Sequence, residues 1–548
     1  MGEHTQPRHP EPVVVDQGSA AAVGLPADCA WSLHADEDNT THPIVQGHGR
    51  EAQLPADLPA GYYRLHAGGE PHRLVIVAPA QCWMAQALRS GERWWGVTAQ
   101  MYSLRSATSW GIGDFTDLAT LAGIAAAQGA AFIGLSPLHA LRPDAPHLAS
   151  PYSPSSRLAL NLLHIDVTAV PELAQCRPAQ DLIQSTGFQQ RLAEAQASDT
   201  VRYEDVAALK EAALALLWAH FAAQELRQGT ERGRAFEAFA RQHASTLGLH
   251  ALYEAIQMHL RAQDDSIWGW PAWPEALKDP AGAGAHAFQA QHADAVAHRM
   301  WLQWIAHEQL ALASGRARAL MPMGLYCDLA VGSSDGGSET WMNPGLYARG
   351  MNVGAPPDPL SLQGQDWGLP PVNPVALLDA ELLPLRRLIA TAMRHCGALR
   401  LDHVMGLMRL YWQGAHGGTY VHYPLQAQLA VLRVESHRLR CMVIGEDLGN
   451  VAPAMREAMA QHDVLSYRPL IFERLEGGAF RPPEQWHRQA LAVVTTHDLP
   501  TLAGFWCADD IAIQHRLGWL SQGDAHVQAL VARAQARTQL LAALDSAG

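Results

Sequence analysis

The rhythm of apolar and polar positions changes near residue 90. Before it, short alternating stretches such as Val13-Val14-Val15, Gly61-Tyr62-Tyr63-Arg64-Leu65 and His72-Arg73-Leu74-Val75-Ile76-Val77 are separated by turn signals such as Leu58-Pro59-Ala60-Gly61. That pattern predicts antiparallel strands, and a small β-sandwich over residues 1–90, closing at Ala78-Pro79, is the expected architecture. After it, single apolar runs alternate with long Ala- and Leu-rich stretches of helical period, the signature of βα units feeding a parallel sheet.

Read in order, the predicted strands cover residues 95–102, 131–137, 319–328, 397–402, 441–446, 464–472 and 491–498. Asp114 opens the helix after the first strand and Gly129 stops it. Residues 170–315 are strongly helical and too long for one βα connection, so they read as a helical insertion into a (β/α)₈ barrel spanning residues 91–548. Within it, Trp268, Trp270 and Trp273 sit in an irregular segment, where packing is expected for at least two of them. A Gly- and Pro-rich loop of about 340–375 is too long to be passive. An eighth strand is not visible.

Three of the apolar runs stop at a carboxylate: Leu399-Arg400-Leu401-Asp402-His403, Ile444-Gly445-Glu446-Asp447 and Thr495-Thr496-His497-Asp498. Parallel barrel strands present their C-terminal ends at one face, so Asp402, Glu446 and Asp498 are expected to converge there. Arg400, two residues before Asp402, points to the same side by the period of two and favours the ionised carboxylate. Neighbouring negative charge favours protonated Glu446. Paired carboxylates in unlike environments suit acid/base and nucleophilic work on a glycosidic bond. Metal-assisted hydrolysis with His403 and His497 is the weaker reading, because further His or Lys ligands on other strands are not found. Tyr152, between Pro151 and Pro154 in the loop after the second strand, is a candidate sugar platform as much as a packed tyrosine.

Composition narrows the partners. The 548 residues carry a formal net charge of -14, which argues against nucleic acid and an anionic membrane surface. Seven cysteines are scattered singly with no C-x-x-C pair, so a disulfide framework or thiolate zinc site is not expected and a reducing compartment is. The N-terminus has no apolar segment behind a basic start and no run reaches the length of a membrane span, which points to the cytoplasm. Lys210 and Lys278 are the only lysines, which disfavours Schiff-base chemistry.

Six motifs in order then carry a resemblance: Ser150-Pro151-Tyr152, Val353-Gly354-Ala355-Pro356-Pro357-Asp358, Gly364-Gln365-Asp366-Trp367-Gly368, Leu399-Arg400-Leu401-Asp402-His403, Gly445-Glu446-Asp447-Leu448-Gly449 and Thr496-His497-Asp498-Leu499-Pro500-Thr501. Together they resemble the 4-α-glucanotransferases of glycoside hydrolase family 77, the amylomaltases, over about residues 92–548. The resemblance implies a retaining transferase acting on maltooligosaccharides and other α-1,4-glucans, with no metal or organic cofactor. Asp402 resembles the nucleophile, Glu446 the acid and base, and Asp498 the third carboxylate that grips sugar hydroxyls. Arg400 would orient the nucleophile, while His403 and His497 would bond nearby hydroxyls. Tyr152 would stack at the donor subsite, with Asp328 and Asp335 as further sugar-binding acids. Asp358, Gln365 and Trp367 would overhang the acceptor side and keep bulk water from the intermediate.

Two departures accompany it. Asp366 stands where many relatives have Asn, which adds charge at the acceptor side. Relatives also continue beyond the helix at residues 525–544 with a last strand and helix, so the barrel is expected to lack its eighth strand. An α-glucan hydrolase of the α-amylase type and a non-catalytic maltodextrin-binding protein are the competing readings.

Overall fold

The computed structural model describes residues 10–36, 42–69, 71–357, 364–415, 417–520 and 523–547. The chain divides into two compact units, Met1–Val443 and Ile444–Gly548.

The first unit opens with a five-stranded sheet of Val13–Asp16, Ala21–Ala35, Val45–Leu54, Gly61–Ala67 and Arg73–Ala78, in the order first, fifth, fourth, second, third. Only the first and fifth strands run parallel. Alternate side chains, among them Trp31, Leu33, Leu65, Val75 and Val77, turn inward to one apolar core. The sheet is fastened to the helix Leu425–Leu439: Tyr62 Oη donates to Glu435 at 2.7 Å, and Arg433 donates to Asp16 and to the Pro79 carbonyl at 3.0 and 2.9 Å.

Parallel strands Gly96–Ala99, Phe132–Leu135, Gly324–Leu329 and Ala398–Leu401 follow, each beside the next. The helix after the first strand, Phe115–Ala127, begins at a capping box in which Asp114 accepts from Thr116 and Asp117 N–H while Asp117 accepts from Asp114 N–H. The third strand begins later than expected, because residues 319 and 320 complete the helix Ala293–Leu320. The apolar run alone did not separate the end of a helix from the start of a strand.

Between the second and third of these strands lie helices, Tyr203–Phe221, Glu231–Gln242, Leu249–Arg261 and Ala293–Leu320 among them. Trp270 and Trp273 are buried and donate to Thr340 and Gln257, whereas Trp268 is 47% exposed. One expectation fails: the helical run Tyr203–Leu226 is long and apolar enough to cross a membrane. Its Leu209, Lys210, Leu214, Leu217 and Phe221 are buried in the unit, however, and Lys210 Nζ donates to the Leu163 and Ile165 carbonyls. It packs as a core helix.

The largest difference lies in the predicted loop. Asn352–Ala355 and Gln365–Leu369 are strands, and with Arg409–Gly414 and Gly417–His422 they make a four-stranded antiparallel sheet. Glycine misled the reading: a Cβ on Gly354 would meet the Gln365 carbonyl oxygen at 1.9 Å. The residue that reads as a loop-former is what lets these two strands approach.

In the second unit, Ile444 and Gly445 pair parallel with Leu465–Pro469, which pairs parallel with Ala490–Val493. Helices Pro453–Gln461, Leu502–Cys507, Asp509–Arg516 and Ala525–Ala547 accompany them, with Phe480, Phe505 and Leu540 as an apolar centre. The last strand is shorter than predicted, so Asp498 lies in the turn beyond Val493.

Candidate active site

The first unit gathers four of the predicted residues at two neighbouring strand ends. Asp328 and Arg400 are register partners on adjacent parallel strands. Arg400 Nη1 donates to both Asp328 oxygens at 2.7 and 2.8 Å, and its Nη2 lies 3.0 Å from Asp402 Oδ1. The Arg400 and Asp328 side chains are about 4% and 5% exposed, and that of Asp402 is 22% exposed. One buried guanidinium therefore fixes two carboxylates, the more open of which faces solvent. Tyr152 Oη donates to Asp328 at 2.9 Å. Burial, Asp328 and that hydrogen bond raise the phenol well above its ordinary range, so the hydroxyl keeps its proton and its orientation.

Immediately after Asp402 the backbone of His403 turns into the left-handed region, φ 48°. Its imidazole meets the edge of Trp367, with ring centroids 5.1 Å apart at 80°. Burial depresses His403 to about 4, leaving a neutral ring at neutral pH. Trp367 Nε1 donates to Gln365 at 3.0 Å. Its strand is held by Asp366, which accepts from Asn352 Nδ2 at 3.0 Å and from Gly368 N–H at 2.9 Å. The Asp366 carboxylate thus has a local structural use. Asp335 is engaged elsewhere, in a two-pronged pair with Arg349 at 3.0 Å, and Arg349 stacks over Trp270. Asp358 lies outside the described residues.

The backbone behind this cluster is braced by residues that a strand-end reading passes over. Arg157 pairs with buried Glu339 at 2.6 Å and donates to the Ala330 and Val331 carbonyls, just past the Asp328 strand. Tyr347 Oη also donates to Glu339, at 2.8 Å.

In the second unit, Glu446 is 8% exposed, and its Oε1 accepts the Leu448 N–H at 2.7 Å. The adjacent Asp447 is the structural carboxylate, accepting from Ser466 Oγ at 2.6 Å and Tyr467 N–H at 3.0 Å. Asp498 is exposed and lies 3.1 Å from His497 Nε2. Among the described residues no group of three His, Cys, Asp or Glu side chains could hold a metal ion.

Comparison with known proteins agrees with this geometry. Residues 99–546 match the model of the glycoside hydrolase 77 family, described as 4-alpha-glucanotransferase, and residues 10–79 match the MalQ N-terminal beta sandwich domain. The 4-alpha-glucanotransferase of Haemophilus influenzae is 37% identical over 475 residues, covering 85% of this chain and 68% of the relative. That of Mycobacterium bovis is 38% identical over 489 residues, covering 85% and 65%. The chain thus spans about two thirds of the length of these relatives. The crystal structure of amylomaltase from Corynebacterium glutamicum superposes with a TM-score of 0.79 at 30% identity, covering 99% of this chain and 76% of that one. The expected fold class, a TIM-type (β/α) barrel preceded by a β-sandwich, accords with this superposition, with the β-sandwich match at residues 10–79 and with the parallel strands described above. The family resemblance read from the six motifs holds: the chain belongs to the 4-alpha-glucanotransferases of glycoside hydrolase family 77.

Proposed function

We propose that the chain is a retaining 4-α-glucanotransferase that moves α-1,4-glucan segments between maltooligosaccharides. The observation that carries this reading is Arg400 bridging Asp328 and Asp402 at two adjacent strand ends. Such a bridge holds a carboxylate in a fixed rotamer at the end of its strand.

Asp402 attacks the anomeric carbon of the donor while Glu446 gives its proton to the leaving glycosidic oxygen. The bond to the departing chain breaks as the bond to Asp402 forms, which leaves a β-linked glucosyl-enzyme. Glu446, now ionised, takes the proton from the 4-hydroxyl of an acceptor sugar, whose oxygen displaces Asp402 and restores the α configuration. In retaining enzymes the two principal carboxyl groups stand roughly 5–5.5 Å apart. Asp498 and His497 would grip hydroxyls of the sugar at the cleavage point. Trp367, seated on His403, would shelter the intermediate from water so that a sugar hydroxyl prevails. No cofactor takes part in this scheme. The seven free thiols support a cytoplasmic location.

Protein incubated with maltotriose is expected to yield glucose and a ladder of longer chains, and Asp402→Asn to abolish both. Glucose and maltose without longer products would replace this reading with an α-glucan hydrolase. Binding without any product would replace it with a maltodextrin-binding protein.

A further inference from the structure

The strand ends that carry the candidate nucleophile have a second face. By the period of two, Asp328, Arg400 and Asp402 share one side, and Leu329 and Leu401 take the other. On that other side lies a cavity of about 140 Å³. Leu329 and Leu401 form one wall, and Leu377, Leu388, Leu407 and Leu410 line it from surrounding elements. All six are 8% exposed or less.

The polar groups at its border are already engaged. Gln428 Nε2 donates to the Leu407 carbonyl, Tyr423 Oη to the Val372 carbonyl, and Glu339 is held by Arg157 and Tyr347. The remaining lining is mostly aliphatic, and an aliphatic cavity of about 150 Å³ binds benzene.

Asp402 and His403 themselves border this cavity. The chain leaves the strand there through the left-handed turn at His403, so a guest in the cavity would pack against that turn from behind.

We propose that this cavity is a binding site for a small apolar molecule the size of a single aromatic ring, and that its occupancy shifts the setting of Asp402 from behind. The second part rests on the catalytic role proposed for Asp402; the first does not. The probe is benzene. With wild-type protein, increasing benzene should raise the thermal midpoint saturably, by about 1–2 °C. It should also change kcat on maltotriose by about twofold or more. Leu388→Trp and Leu377→Phe fill the cavity from two different walls and should abolish both responses; if one variant fails to fold, the other carries the comparison. No midpoint shift in the wild type, or an equal shift in a folded filled variant, overturns the site. A midpoint shift with kcat unchanged overturns the coupling. Failure of the catalytic reading would appear separately, as no product in the absence of benzene.

Discussion

Arg400 Nη2 lies 3.0 Å from Asp402 Oδ1 across a two-residue step of one strand. The other terminal nitrogen, Nη1, is spent on Asp328 of the neighbouring strand, so the position of Asp402 is tied to the register of two strands rather than to its own loop. Arg400→Ala leaves Asp328 buried without its cation. Breaking such a pair costs about 3–5 kcal/mol, to be read as a lower midpoint in urea. Arg400→Lys keeps the charge but lacks the planar fork that serves two carboxylates at once. It should recover most of the stability while kcat stays at least about tenfold below wild type. Equal recovery of both would mean that Arg400 acts only as a charge.

Tyr152 separates two roles that one aromatic can combine. Its hydroxyl is committed to Asp328, while its ring is the proposed sugar platform. Tyr152→Phe removes a hydrogen bond to a charged acceptor that Arg400 still satisfies, for a loss of about 1 kcal/mol. If stacking is its main use, Tyr152→Phe keeps KM for maltotriose near wild type, and Tyr152→Ala raises it about tenfold. Equal KM effects from both variants would assign the role to the hydroxyl.

How much of this was legible beforehand follows from what each residue advertises. Arg400 and Asp402 were readable because a buried strand tolerates no charge along its run, so two charges at its end demand a reason. The capping box at Asp114 and Asp117 was readable in part, as a helix start. Asp447 was not: it stands beside Glu446 with the same sequence credentials, and only Ser466 and the Tyr467 N–H show it to be structural. The strands Asn352–Ala355 and Gln365–Leu369 were hidden because glycine signals a loop locally, whereas here it answers to a long-range clash. Packing of at least two of Trp268, Trp270 and Trp273 was readable, since indoles in an irregular segment more often bury area than wait for ligand, but only the structure shows the two to be Trp270 and Trp273.

Trp367 is the test of transfer against hydrolysis. Its ring is held from three sides: edge-on to His403, through Nε1 to Gln365, and by the strand that Asp366 pins to Asn352. Trp367→Ala removes the proposed shelter without touching the Arg400 cluster. The expected outcome is a rise of about tenfold in the ratio of reducing ends released to longer chains formed, with kcat for donor cleavage changed far less. Asp366→Asn should reproduce a fraction of that rise, because one amide cannot accept from Asn352 and Gly368 as a carboxylate does. An unchanged ratio in Trp367→Ala would remove the loop from the partition between water and sugar.

Buried histidines set the acid limit of stability. Burial depresses His164, His298, His395 and His403 to about 4, and His139 and His307 to about 3. Arg157 assists at His139, and His395 with Arg394 assists at His307. The unfolded chain takes up protons near 6.5 that the folded one refuses, so stability is fully present above pH 6.5 and is lost as pH falls toward 4 and 3. Each buried histidine contributes about 1–2 kcal/mol of that loss by pH 5, less than additively for the neighbours His307 and His395. Asp114, raised to about 6 by burial, works the other way and gains stability as pH falls from 6 to 3.8. Glu308, also raised by burial, acts in the same sense as Asp114, but the depressed histidines outnumber these carboxyls and make the net slope positive: urea midpoints should climb steeply from pH 4.5 to 6.5 and level off above it. His139→Gln and His164→Asn, which cannot titrate, should each flatten that climb. A midpoint independent of pH over this range would mean that these imidazoles are solvated in the native state.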